Sequence, residues 1–298
     1  MQTLQDMERK LKSADDLHTV VRTMKSLAAV SIRQYEDATR SLDEYFQSVE
    51  MGLRAALRSH PLVGRQPEPR KTLIMVFGSD QGMAGRFNES IIEFLQVARH
   101  EMANSQDRQL FWVAGAKAHG LMEEAVGQVE RFFSLPSSAE VISAKVQQIL
   151  LHLVEMREKE GELRLILFHN HPDAGSSYRQ HRVNLLPPDR TWLTDLGGRQ
   201  WQGRQIPFYT LPWEELFGAL ISEYLFVALF RAFAASMAAE NAARLASMQR
   251  AEKNIEETQE ELTRSFHTLR QNTISEELFD VISGFEALTG HQAETEVD

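Results

Sequence analysis

The sequence predicts an α/β protein: a long antiparallel coiled coil of N- and C-terminal helices, with a compact α/β domain inserted between them. Three observations carry this. All nine prolines lie between Pro61 and Pro212. Neither glycine nor proline interrupts residues 1–51 or 219–283. Both uninterrupted ends repeat apolar residues at spacings of three and four, whereas the middle alternates short apolar runs with helical patterns. Glycine and proline cost most inside helices and punctuate turns. The breakpoints therefore predict an N-terminal helix within 1–60, a globular part at 61–211 and a C-terminal helix within 212–298.

The N-terminal seam runs through Leu4, Met7, Leu11, Ala14, His18, Val21, Met24, Ala28, Ser31, Tyr35, Ala38, Leu42, Tyr45 and Val49. A period of about 3.5 residues sustained over about six heptads is a coiled-coil stripe. His18 and Ser31 are its polar breaks. One helix from 4 to 57 would be roughly 80 Å long at 1.5 Å per residue.

The C-terminal seam passes through Leu220, Tyr224, Val227, Arg231, Ala234, Ala238, Asn241, Leu245 and Met248. Ile255, Leu262, Phe266 and Leu269 continue it, with Glu252 and Gln259 as polar interruptions. The phase slips by one at 270–273, and Ile274, Leu278, Val281, Phe285 and Leu288 carry the stripe on. A slip of this kind marks a change of winding or of packing partner. A helix from 214 to 288 would exceed roughly 110 Å, too long for the core of a small globule. Residues 216–239 are apolar, but Glu223 and Arg231 divide them into pieces shorter than the roughly 20 residues of a membrane span. The many alanines suit close helix packing instead.

In the middle, 72–78, 110–115, 129–135 and 163–169 read as strands, and 86–99 and 141–156 as helices. Strands alternating with helices predict a parallel sheet with crossovers, a Rossmann-like body. The stretch 173–207 is rich in turn residues and predicts irregular strands or hairpins.

Composition narrows the function. The chain has 298 residues, 43% apolar and 25% charged, as in folded proteins generally. Its net charge of −10 disfavours nucleic acid, whose phosphates demand an excess of Lys and Arg. It contains no cysteine, which excludes disulfides, thiolate metal sites and thiol nucleophiles. The first dozen residues lack a signal or transit pattern, so the chain is expected to stay where it is made.

Residues 78–88 (GSDQGMAGRFN) follow a strand and open a helix, where a phosphate loop would sit. The segment has no GK[ST] and no GxGxxG, and Asp80 would repel phosphate. Its glycines are expected to serve tight turns and the close approach of another surface. His169 and His171 share one strand face, with His152 and His181 near in sequence, and could form half of a metal site. A plain strand end is the simpler reading, and no metal or other cofactor is expected. The acidic run from Glu252 to Glu261 reads as a solvated face.

Three stretches resemble the gamma subunit of F-type ATP synthases: 20–32 (VVRTMKSLAAVSI), 78–88, and 239–248 (AENAARLASM) together with 270–288 (RQNTISEELFDVISGFEAL). Order and spacing fit along nearly the whole chain. Asn272 stands where the family has alanine, Ala84 where it has cysteine, Arg86 and Phe87 where it has glycine and leucine, and Phe285 where it has alanine. These departures mark a divergent bacterial member, such as one from an alternative, sodium-linked operon.

The resemblance implies a rotor shaft without catalysis of its own, coupling ion flow through a membrane c-ring to ATP synthesis or hydrolysis on beta subunits. It implies alpha, beta and epsilon subunits and the c-ring as partners. It also implies a peripheral position on the cytoplasmic face of the bacterial inner membrane. Contacts with beta subunits would fall to Met24, Lys25, Asp80, Gln81, Arg86, Asn88, Arg270, Gln271 and Thr273. Glu223 and Tyr224 would lie at the c-ring and epsilon end. Leu11, Val21, Ala28, Ala238, Leu245 and Met248 would hold the seam. Two other readings stand beside it: a coiled-coil adaptor, and an enzyme with a small-ligand site at Asp80, Arg86 and His169.

Overall fold

A computed structural model describes residues 3–61, 69, 71–102, 108–173, 177–201 and 208–294, with side chains described as far as 283. Packing divides the chain into two units, Ser26–Ser247 and Met1–Lys25 with Met248–Asp298. This division follows contacts and not the glycine and proline breakpoints near 60 and 211.

In the unit of 26–247, the strands are β1 (Lys71–Phe77), β2 (Arg108–Ala114), β3 (Arg131–Phe133), β4 (Arg164–Pro172) and β5 (Tyr178–Leu186). They form one sheet in the order β3-β2-β1-β4-β5. The first four are parallel, and β5 joins the β4 edge antiparallel. The helices of the α/β body are α3 (Phe87–Met102), α4 (Ala116–Val126), α5 (Ile142–Glu160) and α6 (Arg190–Gly198).

The central strands are buried on both faces, as parallel strands under crossover helices must be. Ile74, Val76, Phe111, Val113, Ile166 and Phe168 pack under α3 and α4. The alternate residues Leu73, Met75, Phe77, Leu110, Trp112, Leu165 and Leu167 point to the other face. There they meet α5 through Val146, Ile149 and Leu153, and the last helix, α7 (Trp213–Glu294), through Leu225, Leu229, Phe233 and Ala234. Phe233 stands edge-on to Phe77, with ring centroids 4.7 Å apart. By length and composition α7 could cross a membrane: its most apolar 18-residue window has a mean hydropathy of 1.7, and a third of that window is buried. Its fully buried residues Val227, Leu229, Phe233 and Ala234 support the expectation of a packed helix.

The structure corrects the expected N-terminal helix. It is α1 (Leu4–Ser41) followed by α2 (Asp43–Ser59), with a break at Leu42. At the break the stripe passes through half-buried Phe46 in place of Tyr45, which is 42% exposed, and is back at its expected position at buried Val49. No glycine or proline marks the place. The described part of 173–207 holds the expected hairpin strand, and it is more regular than expected. Its β5 is a nine-residue edge strand that completes a hairpin with β4. Asp189 caps α6 by accepting from Thr191 N at 2.8 Å, and Leu193 and Leu196 then pack on Val49, Leu53 and Leu57 of α2. Gly197 lets α6 approach α2: a Cβ there would lie 3.2 Å from that of Leu57.

In the unit of 1–25 and 248–298, α1 and α7 run antiparallel. His18 faces Glu256 and Lys25 faces Glu252, so rising numbers on one helix meet falling numbers on the other. Met7, Ala14, Val21 and Met248 are buried, and Leu11 is half-buried, as the seam predicts. Past the slip the stripe has no partner in α1, in keeping with a change of packing partner there. Ile274, Leu278 and Val281 are exposed by 54%, 59% and 70%. The register explains this. With His18 opposite Glu256, Leu4 falls opposite about residue 270, and α1 offers nothing beyond. Phe285 and Leu288 lie outside the described side chains.

Candidate functional site

The loop after β1 is built from the inside. Asn88, at the start of α3, accepts from Ser79 N through Oδ1 at 2.9 Å, and its Nδ2 donates to Ser79 Oγ at 2.8 Å. Asp80 is exposed, but its carboxylate is taken up by backbone: Oδ1 accepts from Ala116 N at 2.8 Å and Oδ2 from Leu135 N at 3.2 Å. Ala116 is the first residue of α4, so the carboxylate of Asp80 occupies the helix N-terminus where a phosphate would bind.

Two glycines serve close approach. A Cβ on Gly78 would meet that of Ala118 at 2.2 Å. Gly115, at φ 112°, would bring one to 2.8 Å from Ser79 O. What the loop shows outward is Gln81, Gly82, Met83, Gly85 and Arg86, with Arg86 held to Glu93 at 2.6 Å. Ala84 and Phe87 close its other side on Ala239 and Ala243 of α7. Of the four loop residues expected at a contact, Gln81 and Arg86 present side chains outward, whereas Asp80 and Asn88 hold the loop's shape.

Beside the loop's landing on α7 lies a buried charge pair that sequence reasoning did not single out. Glu240 is 5% exposed and is hydrogen-bonded by Arg244, which also donates to Asn241 Oδ1 at 3.2 Å. Burial raises the Glu240 carboxyl above its ordinary range, Arg244 opposes this, and Asp80 adds to the rise. The signal was present in the AENAAR segment, where Glu and Arg at i and i+4 share a helix face. Ala238 is buried and Leu245 half-buried nearby, and on α1 Ala28 is buried, as expected of the seam.

Met24 and Lys25 are half-buried, and Lys25 Nζ meets Glu252 Oε2 at 2.5 Å. Lys25 is therefore partly engaged in holding α1 to α7. Further along α7 the surroundings differ. Arg270 and Gln271 are exposed, and among the described residues neither has a hydrogen bond or ion pair. Thr273 is half-buried and spends its hydroxyl on Leu269 O at 3.0 Å. Directly after them come Ile274, Leu278, Phe279, Val281 and Ile282, all 44–70% exposed. A contiguous apolar surface without a cover marks an interaction site.

Glu223 accepts from Tyr45 Oη at 2.5 Å, which raises the Tyr45 pKa. Tyr224 lies between Trp192, at 5.0 Å, and Phe46, at 6.5 Å, and burial raises its pKa. Both tie α7 to its neighbours.

The histidines do meet. His169 pairs across the β4–β5 ladder with His181, and His171 stacks on His181 at 4.9 Å. The three line a cavity of about 370 Å³, walled by Leu167, Val183, Val227 and Arg231 among others. Burial lowers the His169 pKa to about 4 and keeps its ring neutral. Asp80 and Arg86 do not line this cavity, so the enzyme reading loses its proposed constellation.

A family model described as ATP synthase matches residues 3–288. The chain is 27% identical over 298 residues to the ATP synthase gamma chain of Anaeromyxobacter dehalogenans (strain 2CP-C), covering 97% of this chain and 100% of that one. It is 28% identical over 302 residues to the ATP synthase gamma chain of Syntrophus aciditrophicus (strain SB), covering 97% and 99%. Its fold matches a chain of the Euglena gracilis mitochondrial ATP synthase, OSCP/F1/c-ring, in rotational state 3, with a TM-score of 0.66 at 16% identity, covering 97% of this chain and 95% of that one. A chain of the Tetrahymena thermophila central stalk and c-ring matches with a TM-score of 0.55 at 18% identity, covering 78% and 99%.

Proposed function

Because this chain belongs to the ATP synthase gamma family and so serves as a rotor-shaft subunit of an F-type enzyme, we propose that its α7 end beyond Thr273 is the part that turns inside the ring of alpha and beta subunits. One observation carries the reading. The apolar stripe of α7 outlasts α1, and five large apolar side chains are left exposed there. Exposed Arg270 and Gln271 sit at the start of that stretch and supply polar contacts to beta subunits, with Thr273 at its inner edge. Met24, Gln81 and Arg86 face the lower parts of the ring, whereas Asp80, Asn88 and Lys25 act by holding the surfaces that do.

Glu223 and Tyr224 belong to the opposite end, toward epsilon and the membrane c-ring. Catalysis lies on the beta subunits. The shaft acts because each beta subunit meets a different face as it turns, and contacts that differ between states shift nucleotide affinity. The complex would hold the chain peripherally at the cytoplasmic face of a bacterial inner membrane.

Arg270→Ala tests the residue assignment. A charge-assisted hydrogen bond contributes about 1.5–3 kcal/mol. The variant is expected to assemble with alpha and beta subunits and to pump fewer ions per ATP hydrolysed. Unchanged coupling in reconstituted vesicles would remove Arg270 from the contact.

A further inference from the structure

Each seam is interrupted by polar residues, and in the antiparallel pairing two interruptions meet. His18 breaks the stripe of α1 and Glu252 breaks that of α7. Glu256 stands one turn along from Glu252, and on a helix residues four apart share a face. One ligand-type atom from each of His18, Glu252 and Glu256 lies within 4.8 Å of the others. The Nε2 atom of His18 is shielded from solvent and has no hydrogen-bond partner. It lies 3.6 Å from Glu256 Oε1, too far for a hydrogen bond.

That separation has another meaning. Two ligands bound tetrahedrally to zinc, each about 2.0–2.1 Å from the metal, are about 3.3 Å apart. A cation between the helices would satisfy the orphaned nitrogen and bridge the seam at its most polar point. The geometry points to a divalent transition-metal site formed by His18, Glu252 and Glu256, which staples α1 to α7. One imidazole and two carboxylates suit a borderline ion such as Zn²⁺ or Co²⁺, with water completing the shell, and suit Mg²⁺ or Ca²⁺ less.

The surroundings set the competition. Lys25 Nζ already holds Glu252 Oε2, and Lys25 and Arg22 both bring positive charge to Glu252. Lys25 is partly exposed and can swing to solvent when a metal takes the carboxylate. The half-exposed side chain of Glu256 leaves the ion a route of entry. This inference does not depend on the contact residues proposed above, and its test reads metal binding, not ATPase coupling.

The test uses the full chain, stripped of metal by a chelator and titrated with Zn²⁺ in a calorimeter, then with Co²⁺ under visible spectroscopy. One Zn²⁺ per chain is expected, with the absorption of Co²⁺ in a low-symmetry N/O site. Glu256→Gln, a change at an exposed position, should weaken binding at least tenfold, and so should His18→Ala. Lys25→Gln should tighten it severalfold by removing the competing ammonium. The double variant His171→Ala/His181→Ala should bind as the parent does. Zn²⁺ binding in the parent no tighter than in His18→Ala and Glu256→Gln would overturn the site. Binding lost only with His171 and His181 would overturn it too, and would move the metal to the edge of the sheet.

Discussion

Two stretches of α7 share one helix and one apolar periodicity but meet opposite surroundings. In residues 225–243, Val227, Leu229, Phe233 and Ala234 are fully buried. In residues 274–282, Phe279 and Val281 are exposed by 68% and 70%. The first stretch has a sheet and α5 to cover it, and the second has nothing among the described residues. The difference teaches that periodicity reports a need for burial and does not say which molecule meets it. Where the chain itself offers no cover, the stripe is a surface for a partner.

The comparison breaks most sharply with one truncation in each stretch. Phe233→Ala removes a ring packed edge-on to Phe77 and should destabilise the chain by about 3–5 kcal/mol in urea unfolding. Phe279→Ala should change that stability by less than about 0.5 kcal/mol, since nothing among the described residues covers it. Equal losses would show that 274–282 is packed in the free chain, and the reading of that stretch as a partner surface would fall.

Acid sharpens the description of the buried side. His169 is neutral in the fold because burial lowers its pKa from 6.5 to about 4. Between those values the unfolded chain binds a proton that the folded chain does not. Stability therefore rises with pH across that window and falls on acidification, by up to about 3 kcal/mol from this group. His169→Gln should flatten the slope of unfolding free energy between pH 4 and 6.5 by nearly one proton. An unchanged slope would mean that the ring is wet.

A smaller effect is expected at the loop on the C-terminal edge of the sheet. Asp80→Asn removes the negative charge at the α4 N-terminus and one of the two acceptors, so that only one of Ala116 N and Leu135 N keeps its partner, which should cost about 1–2 kcal/mol. The same variant tests whether Asp80 also touches a partner. A coupling defect larger than this stability loss explains would return it to the contact surface.

Much of this was legible from residues alone. The β1, β2 and β4 runs were visible because strands buried on both faces are continuously apolar. The seams were visible because a period of 3.5 persists over many turns. The break at Leu42 was not, since no glycine or proline marks it and only the change from Tyr45 to Phe46 records it. The edge strand β5 escaped because its outward face is polar and charged. The short helix α6 was hidden by Gly197 and Gly198, which read as loop when Leu57 of α2 is unknown as their neighbour. At the contact surface, the sequence located the loop of 78–88 and the block from 270. It could not separate Gln81 and Arg86 from Asp80 and Asn88, whose side chains are taken up by hydrogen bonds that shape the loop.

The uncovered end of α7 is proposed to work inside a ring of alpha and beta subunits. The most direct measurement mixes this chain with the alpha and beta subunits of its own source and records native mass and ATPase rate, for the parent and for a Phe279→Asp/Val281→Asp variant. One copy of the parent per hexameric ring with faster sustained hydrolysis is expected, and weakened entry for the variant despite unchanged stability of the free chain. A variant that enters and stimulates as well as the parent would contradict the proposal.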